Sequence, residues 1–113
     1  MAEEKIIEQK FKKAMEDEGW TALKLSCPGF DGMPDRMVLK GNGELFFAEM
    51  KAPRKELRAL QQERCRMLRK LGFRAYVVDS ESDIASVRTQ EAVQSKMAAQ
   101  DWAWLRAGGR GRK

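Results

Sequence analysis

The chain contains no histidine, and that absence removes histidine-based nucleophile triads, HExxH zinc sites and imidazole general bases together. Any catalysis must rest on carboxylates, lysine or a bound metal. Cysteine is nearly absent as well. Cys27 and Cys65 stand far apart, with no CxxC pair and no other soft ligand beside either, so the reading is two unpaired thiols in a reducing compartment. No apolar run approaches the roughly 18 residues that span a bilayer, which argues against a membrane protein. The opening MAEEKIIEQK carries charge at helical period where an export signal would carry an apolar core. Internal repeats and interdomain linkers are also missing.

What is present suits a single globular domain. At 113 residues, 42% hydrophobic and 35% charged, the chain is long enough for one compact core and too short for two. The expected domain covers residues 1–105, followed over 106–113 by a basic Gly/Arg tail with too little apolar content to order itself. The net charge is +5, and Arg106, Arg110, Arg112 and Lys113 in that tail account for most of it. Elsewhere, position matters more than total. Between Lys51 and Arg74, nine basic residues face only Glu56 and Glu63, a stripe of the kind polyphosphate attracts.

Periodicity predicts a first helix over Glu3 to Glu18, with Ile7, Phe11, Ala14 and Met15 on one face and Gly19 as its stop. A strand over Thr21 to Leu25 leads into a loop dense in turn formers, from Ser26 to Pro34. Arg36 to Lys40 and Glu44 to Met50 form a hairpin around Gly41-Asn42-Gly43, where glycine and asparagine accept the positive φ of a tight turn. Both strands are apolar on both faces, so helices should cover the sheet on its two sides. A second helix over Glu56 to Leu71 places Leu57, Leu60, Met67, Leu68 and Leu71 inward and Arg58, Arg66, Arg69 and Lys70 outward. Ala75 to Val78 then returns parallel to the preceding strand through that helical crossover. Weaker helical sequence runs from Ile84 to Met97. The fold class is α/β, a mixed central sheet flanked by helices on both faces.

The hairpin also carries a geometric argument about chemistry. If Asn42 is the centre of a three-residue turn, Lys40 pairs with Glu44 and, counting outward, Asp35 pairs with Glu49. Opposed residues share a face, and alternation places Lys51 on that face too. Opposed carboxylates weaken a sheet unless a cation lies between them, and a hard divalent ion takes one or two carboxylates with water and phosphate in its other positions. A lysine beside such an ion can orient a water and balance charge on a phosphate oxygen, which is phosphodiester hydrolysis chemistry. Read without the metal, the same residues are a local Pro-Asp turn acceptor and two strand-end charges.

Gly32-Met33-Pro34-Asp35-Arg36 followed by Phe47-Ala48-Glu49-Met50-Lys51 resembles the PD-(D/E)xK nuclease signature. More narrowly, the order of elements resembles a VRR-NUC domain, with Glu8 in the first helix, Leu60-Gln61 opening the second, and the run LRKLGFRAYVVD from Leu68 to Asp79. This is the branch found as stand-alone phage and bacterial nucleases and as the catalytic end of a Fanconi-associated structure-specific nuclease. The resemblance covers roughly Glu4 to Asp79 and implies a restriction-endonuclease-like sheet. It implies that Asp35, Glu49 and the backbone carbonyl of Met50 ligate Mg²⁺ or Mn²⁺, with Lys51 positioning the attacking water. Glu8 would reach the metal directly or through water, Glu4 being the alternative one turn earlier. Gln61, a polar side chain inside the apolar stripe, would find its partner in the site or serve as a buried structural amide.

Lys24, Arg36, Arg54, Lys55, Arg58 and Arg64 are the candidate DNA contacts near that end of the chain, Arg64 alternatively pairing with an inner carboxylate. Stand-alone members of the family are homodimers that cut four-way junctions, so the resemblance implies a Holliday-junction resolvase in the cytoplasm of a bacterial or phage-infected cell. Trp102, Trp104, Phe73 and Tyr76 could stack on bases, core or dimer packing being the other reading for all four, and Trp102, Trp104 and Leu105 are the candidates for a dimer face. Two other readings stay open: flap or nicking activity at the same site, and a basic nucleic-acid-binding module that cuts nothing.

Overall fold

The computed structural model describes residues 2–94. The end of the expected helix at Met97, the Trp102, Trp104 and Leu105 cluster and the basic tail lie outside the described residues. The elements run α1 (Ala2–Asp17), β1 (Thr21–Lys24), β2 (Arg36–Leu39), β3 (Leu45–Met50), α2 (Ala59–Lys70), β4 (Ala75–Val78) and α3 (Glu81–Gln94). The four strands form one sheet in the order β1-β2-β3-β4, antiparallel up to β3 and parallel between β3 and β4.

Alternation along β3 divides the interior in two. Phe46, Ala48 and Met50 point to one face, where they pack with Ile7, Phe11 and Met15 of α1 and with Ile84 and Val87 of α3. Phe47 points to the other face, against Cys65 and Leu68 of α2 and Ala75 of β4. Phe11 and Phe46 are wholly buried, and each such side chain contributes roughly 1.5–3 kcal/mol of burial free energy. Helices therefore cover both faces of β3, as its two-sided apolar pattern requires. On β2 the cover is thinner, and Leu39 stays exposed.

The turn follows the count made from the sequence. Arg36 pairs with Ala48 and Leu39 with Leu45, and the amide of Lys40 donates to the carbonyl of Glu44 at 2.8 Å, which centres the hairpin on Asn42. Asn42 takes φ 65° and Gly43 φ 78°, the left-handed region that these two residue types enter most readily.

The second helix departs from expectation at its start and in its inward face. It begins at Ala59, not Glu56, because Arg54 takes φ 65° and Arg58 is extended at its head. Its buried residues are Gln61, Cys65 and Leu68, while Leu60 and Leu71 are exposed and Leu57 and Met67 only half-buried. The helix is thus turned so that a polar residue faces inward in place of Leu60. Cys65 and Cys27 are both free thiols, and burial pushes the Cys65 thiol up from its ordinary pKa.

At the turn end of the sheet, α3 is fastened by a buried carboxylate. Lys40 donates from Nζ to Glu91 Oε1 and to its carbonyl, both at 2.8 Å, and also lies over the Trp20 ring. Arg74 donates from Nε and Nη2, and the Tyr76 hydroxyl at 2.6 Å. Burial alone would raise the pKa of Glu91, yet the bonds from Arg74, Lys40 and Tyr76 outweigh it and hold the carboxyl below its ordinary value.

Candidate active site

The opposite end of the sheet is built differently. Asp35 immediately precedes β2 behind the buried Pro34, and its carbonyl accepts from the amide of Leu25 at 2.8 Å, so the start of the strand is fixed from both sides. Across the pair, Glu49 Oε1 accepts from the amide of Asp35 at 3.2 Å, and Asp35 Oδ1 accepts from the amide of Met50 at 3.1 Å. Each carboxylate is therefore held by the backbone of the other's strand, which keeps the two acids on one face and close together.

Gln61 arrives from α2. Its Oε1 accepts from the amide of Arg58 at 2.9 Å, which leaves Nε2 to donate to Glu49 Oε2, also at 2.9 Å. The late start of α2 and the polar residue on its inner face thus have one cause: the side chain that closes the helix's first turn also orients Glu49. Lys51 Nζ stands 4.0 Å from Glu49 Oε2, and Lys51 is anchored through its amide to the carbonyl of Val78 at 2.9 Å.

The electrostatics are unfavourable to the acids as they stand. Glu49 is 6% exposed, and burial followed by repulsion from Asp35 raises its pKa to about 7, with Lys51 offsetting only part of this. Burial also raises Asp35, the Met50 amide opposes it, and the charge of Glu8 adds to the rise. Two adjacent acids that resist ionisation, with a lysine alongside, make a donor set that could hold a hard divalent cation. Among the described residues no group of three or more histidine, cysteine, aspartate or glutamate side chains is spaced to hold a metal. Two carboxylates completed by backbone oxygen and water are within what Mg²⁺ accepts.

The structure therefore brings together Asp35, Glu49, Lys51 and Gln61, with Met50 between Glu49 and Lys51 at the end of β3. It does not bring Glu8 into the same contact. Glu8 Oε2 accepts from Arg36 Nη2 at 2.8 Å, Arg36 Nε at 3.1 Å and Lys24 Nζ at 2.6 Å, on the α1 side of the sheet, and reaches Asp35 only through its charge. Those bonds hold the Glu8 carboxyl below its ordinary pKa against the opposing effect of burial.

The basic candidates separate in the same way. Arg36 is buried and its guanidinium is spent on Glu8 and on the carbonyl of Ala22, so its expected role as a phosphate contact gives way to an internal one. Lys24 is paired with Glu8 but remains largely exposed. Arg54, Lys55 and Arg58 are exposed between Lys51 and α2. Arg64 makes no carboxylate pair among the described residues. Its Nε donates to the carbonyl of Asp31, and its guanidinium lies 3.8 Å over the Phe30 ring. Phe30 escaped the sequence reading, and the one signal for it was a lone aromatic inside a Gly/Pro/Asp loop next to the Pro-Asp pair.

No known family profile matches the chain. Over 84 residues, 74% of this chain and 89% of the relative, it is 34% identical to "Putative nuclease p44" of Acyrthosiphon pisum secondary endosymbiont phage 1. A solved structure described as a VRR_NUC domain superposes with a TM-score of 0.71 at 27% identity, covering 75% of this chain and 92% of the other.

Proposed function

The chain belongs to the VRR-NUC nucleases, and we propose that it is a divalent-metal-dependent endonuclease that hydrolyses DNA phosphodiesters at Asp35, Glu49, Lys51 and Gln61, acting as a homodimer on four-way junctions. The observation that carries this reading is the convergence of two reluctantly ionised acids, a lysine and an orienting amide at one end of β3.

In this mechanism the Asp35 and Glu49 carboxylates, with the Met50 carbonyl, would hold Mg²⁺ or Mn²⁺. The ion, when bound, supplies Lewis-acid polarisation of the phosphate and a more acidic water. Gln61 keeps Glu49 in a single orientation by donating to Oε2, leaving Oε1 on the Asp35 side. The Lys51 ammonium lies close enough to the pair to hold the attacking water by its oxygen and to balance negative charge on the phosphate as the P–O bond breaks. Exposed Lys24, Arg54, Lys55 and Arg58 bind flanking phosphates, a contribution that weakens as salt rises.

A domain of this size presents one cutting site, and resolving a junction needs two placed symmetrically, which a twofold dimer supplies. Among the described residues no helix is long and apolar enough to cross a membrane. The deciding experiment incubates the protein with a labelled four-way junction, a flap and a linear duplex in Mg²⁺, Mn²⁺ or EDTA, alongside Glu49→Ala and Lys51→Ala. Symmetric, metal-dependent cuts in the junction, lost in both variants, are the expected result. Binding without cleavage in every metal would overturn it, and cuts confined to the flap would replace the junction with that substrate.

A further inference from the structure

The loop between β1 and β2 carries an aromatic ring that packing does not explain. Phe30 is 42% exposed and contacts Arg64 of α2, the helix that also carries Gln61. Arg64 covers one face of the ring with its guanidinium at 3.8 Å, and the bond from Arg64 Nε to the Asp31 carbonyl at 2.8 Å fixes the two as a stack. The amide of Phe30 donates to the Cys27 carbonyl at 3.0 Å, closing the turn beneath it.

Gly32 makes this arrangement possible. It takes φ +91°, and a Cβ at that position would stand 2.8 Å from Leu60 Cγ and 3.1 Å from Arg64 Cγ. Only glycine lets the loop press so closely on the first turns of α2. Asp31 and Gly32, which follow Phe30 in the loop, line a cleft with Arg58, Leu60 and Gln61, so this part of the loop borders the residue that orients Glu49, while Phe30 itself lines the hollow on the other side of Asp31 and Gly32.

A half-open aromatic ring stacked on a guanidinium, with a second arginine nearby, is the chemistry that binds the face of a nucleobase. Bases inside a continuous duplex have their faces covered by their neighbours; an unpaired base does not. We propose that the Phe30–Arg64 stack is a platform for an unpaired nucleobase beside the phosphate to be cut, and that it biases the protein toward DNA with unstacked bases over continuous duplex. The proposal rests on the reading of Asp35, Glu49 and Lys51 as the cutting site, and its test is made without cutting so that the two stand or fall separately.

The test measures binding in EDTA of a duplex with a short unpaired stretch carrying a fluorescent adenine analogue, against the same duplex fully paired, for the wild type, Phe30→Ala, Phe30→Leu and Phe30→Trp. The expected result is a wild-type preference for the unpaired stretch that falls about tenfold in Phe30→Ala, together with loss of the analogue's emission change, and is retained in Phe30→Trp. Phe30→Leu keeps an apolar side chain in the loop without a ring, so it should also lose the preference while unfolding at the wild-type temperature; this variant decides the matter if the alanine variant does not fold. Equal binding of both DNAs by the wild type, or a preference unchanged in Phe30→Leu, would overturn the proposal. Failure of the wild type to cut any DNA with metal, with the preference intact, would count against the cutting site alone.

Discussion

Glu49 and Glu91 are both carboxylates withdrawn from water, one at the carboxyl end of β3 and the other on α3 against the turn end of the same sheet. Their neighbours differ in the balance of charge. Glu91 accepts hydrogen bonds from Lys40, Arg74 and Tyr76, and its pKa is lowered. Glu49 faces another acid, accepts hydrogen bonds from a backbone amide and a side-chain amide, has one cation, Lys51, 4.0 Å away that offsets only part of the rise, and has its pKa raised to about 7. The first arrangement is complete within the protein and fastens α3 to two strands. The second is incomplete and destabilising until positive charge arrives from outside, which is what a site for a cation and a phosphate requires. On the proposed function, the two ends of one sheet separate the work of holding the fold from the work of cutting.

The strongest way to sharpen this comparison is to treat its two lysines alike. Lys51→Met should reduce cleavage by about 10²–10³-fold, the scale on which removal of one transition-state charge partner is felt, with little change in thermal stability. Lys40→Met should do the reverse, lowering the unfolding temperature while the remaining folded protein cuts. Cleavage rates and unfolding curves on the same two preparations check both. Equal losses of activity in the two would break the distinction.

Next in size is Glu91→Ala, which strands Lys40 and Arg74 together in a poorly solvated region. Removing one partner from a buried charged cluster costs about 3–5 kcal/mol, and the denaturant midpoint should fall accordingly. Glu49→Gln should move stability the other way. It removes the repulsion between Glu49 and Asp35 and the cost of burying a charge and leaves an oxygen to accept from the Asp35 amide, against the loss of the hydrogen bond from Gln61 Nε2, which an amide nitrogen cannot accept. In EDTA near neutral pH a gain on the order of 1–3 kcal/mol is expected, with cleavage lost. A destabilised Glu49→Gln variant would mean that the acid pair is structural.

The contrast also explains what was legible in the sequence. Facing of Asp35 and Glu49 could be counted outward from Asn42, because Gly-Asn-Gly determines the turn length and alternation does the rest. The parallel return to β4 followed from the helical length of the crossover. The rotation of α2 could not be read, because leucine spacing alone does not show that Gln61 is drawn inward by Glu49 and by the Arg58 amide. Glu91 was invisible for a related reason: its partners lie 51, 17 and 15 residues away, so its helix looked weakly amphipathic. Arg36 and Arg64 read as phosphate ligands because charge is local in sequence, whereas the groups that occupy them, Glu8 and the Asp31 carbonyl, are not.

The smallest expected effect concerns acid, and its sign follows from Glu91. That carboxyl has a lower pKa in the folded protein than its ordinary 4.5, so its contribution is present at neutral pH and is lost as pH falls below 4.5 through the folded value. Among the described residues the groups facing it include Lys40 from the end of β2, Arg74 and Tyr76 around the start of β4, and Glu44 behind Arg74; neither of these cations titrates in acid, so protonation of Glu91 removes the negative charge that they pair with. Glu91→Gln keeps an oxygen to accept from them without the charge, and its stability should therefore fall less steeply than that of the wild type between neutral pH and about pH 3. Glu49 cannot be the source of a loss in that direction, since a raised pKa makes the folded state the better proton binder and favours it as pH drops. Unfolding curves of the wild type, Glu91→Gln and Glu49→Gln across that range in EDTA measure the difference, and a wild-type acid slope matched by Glu91→Gln would remove Glu91 from the account.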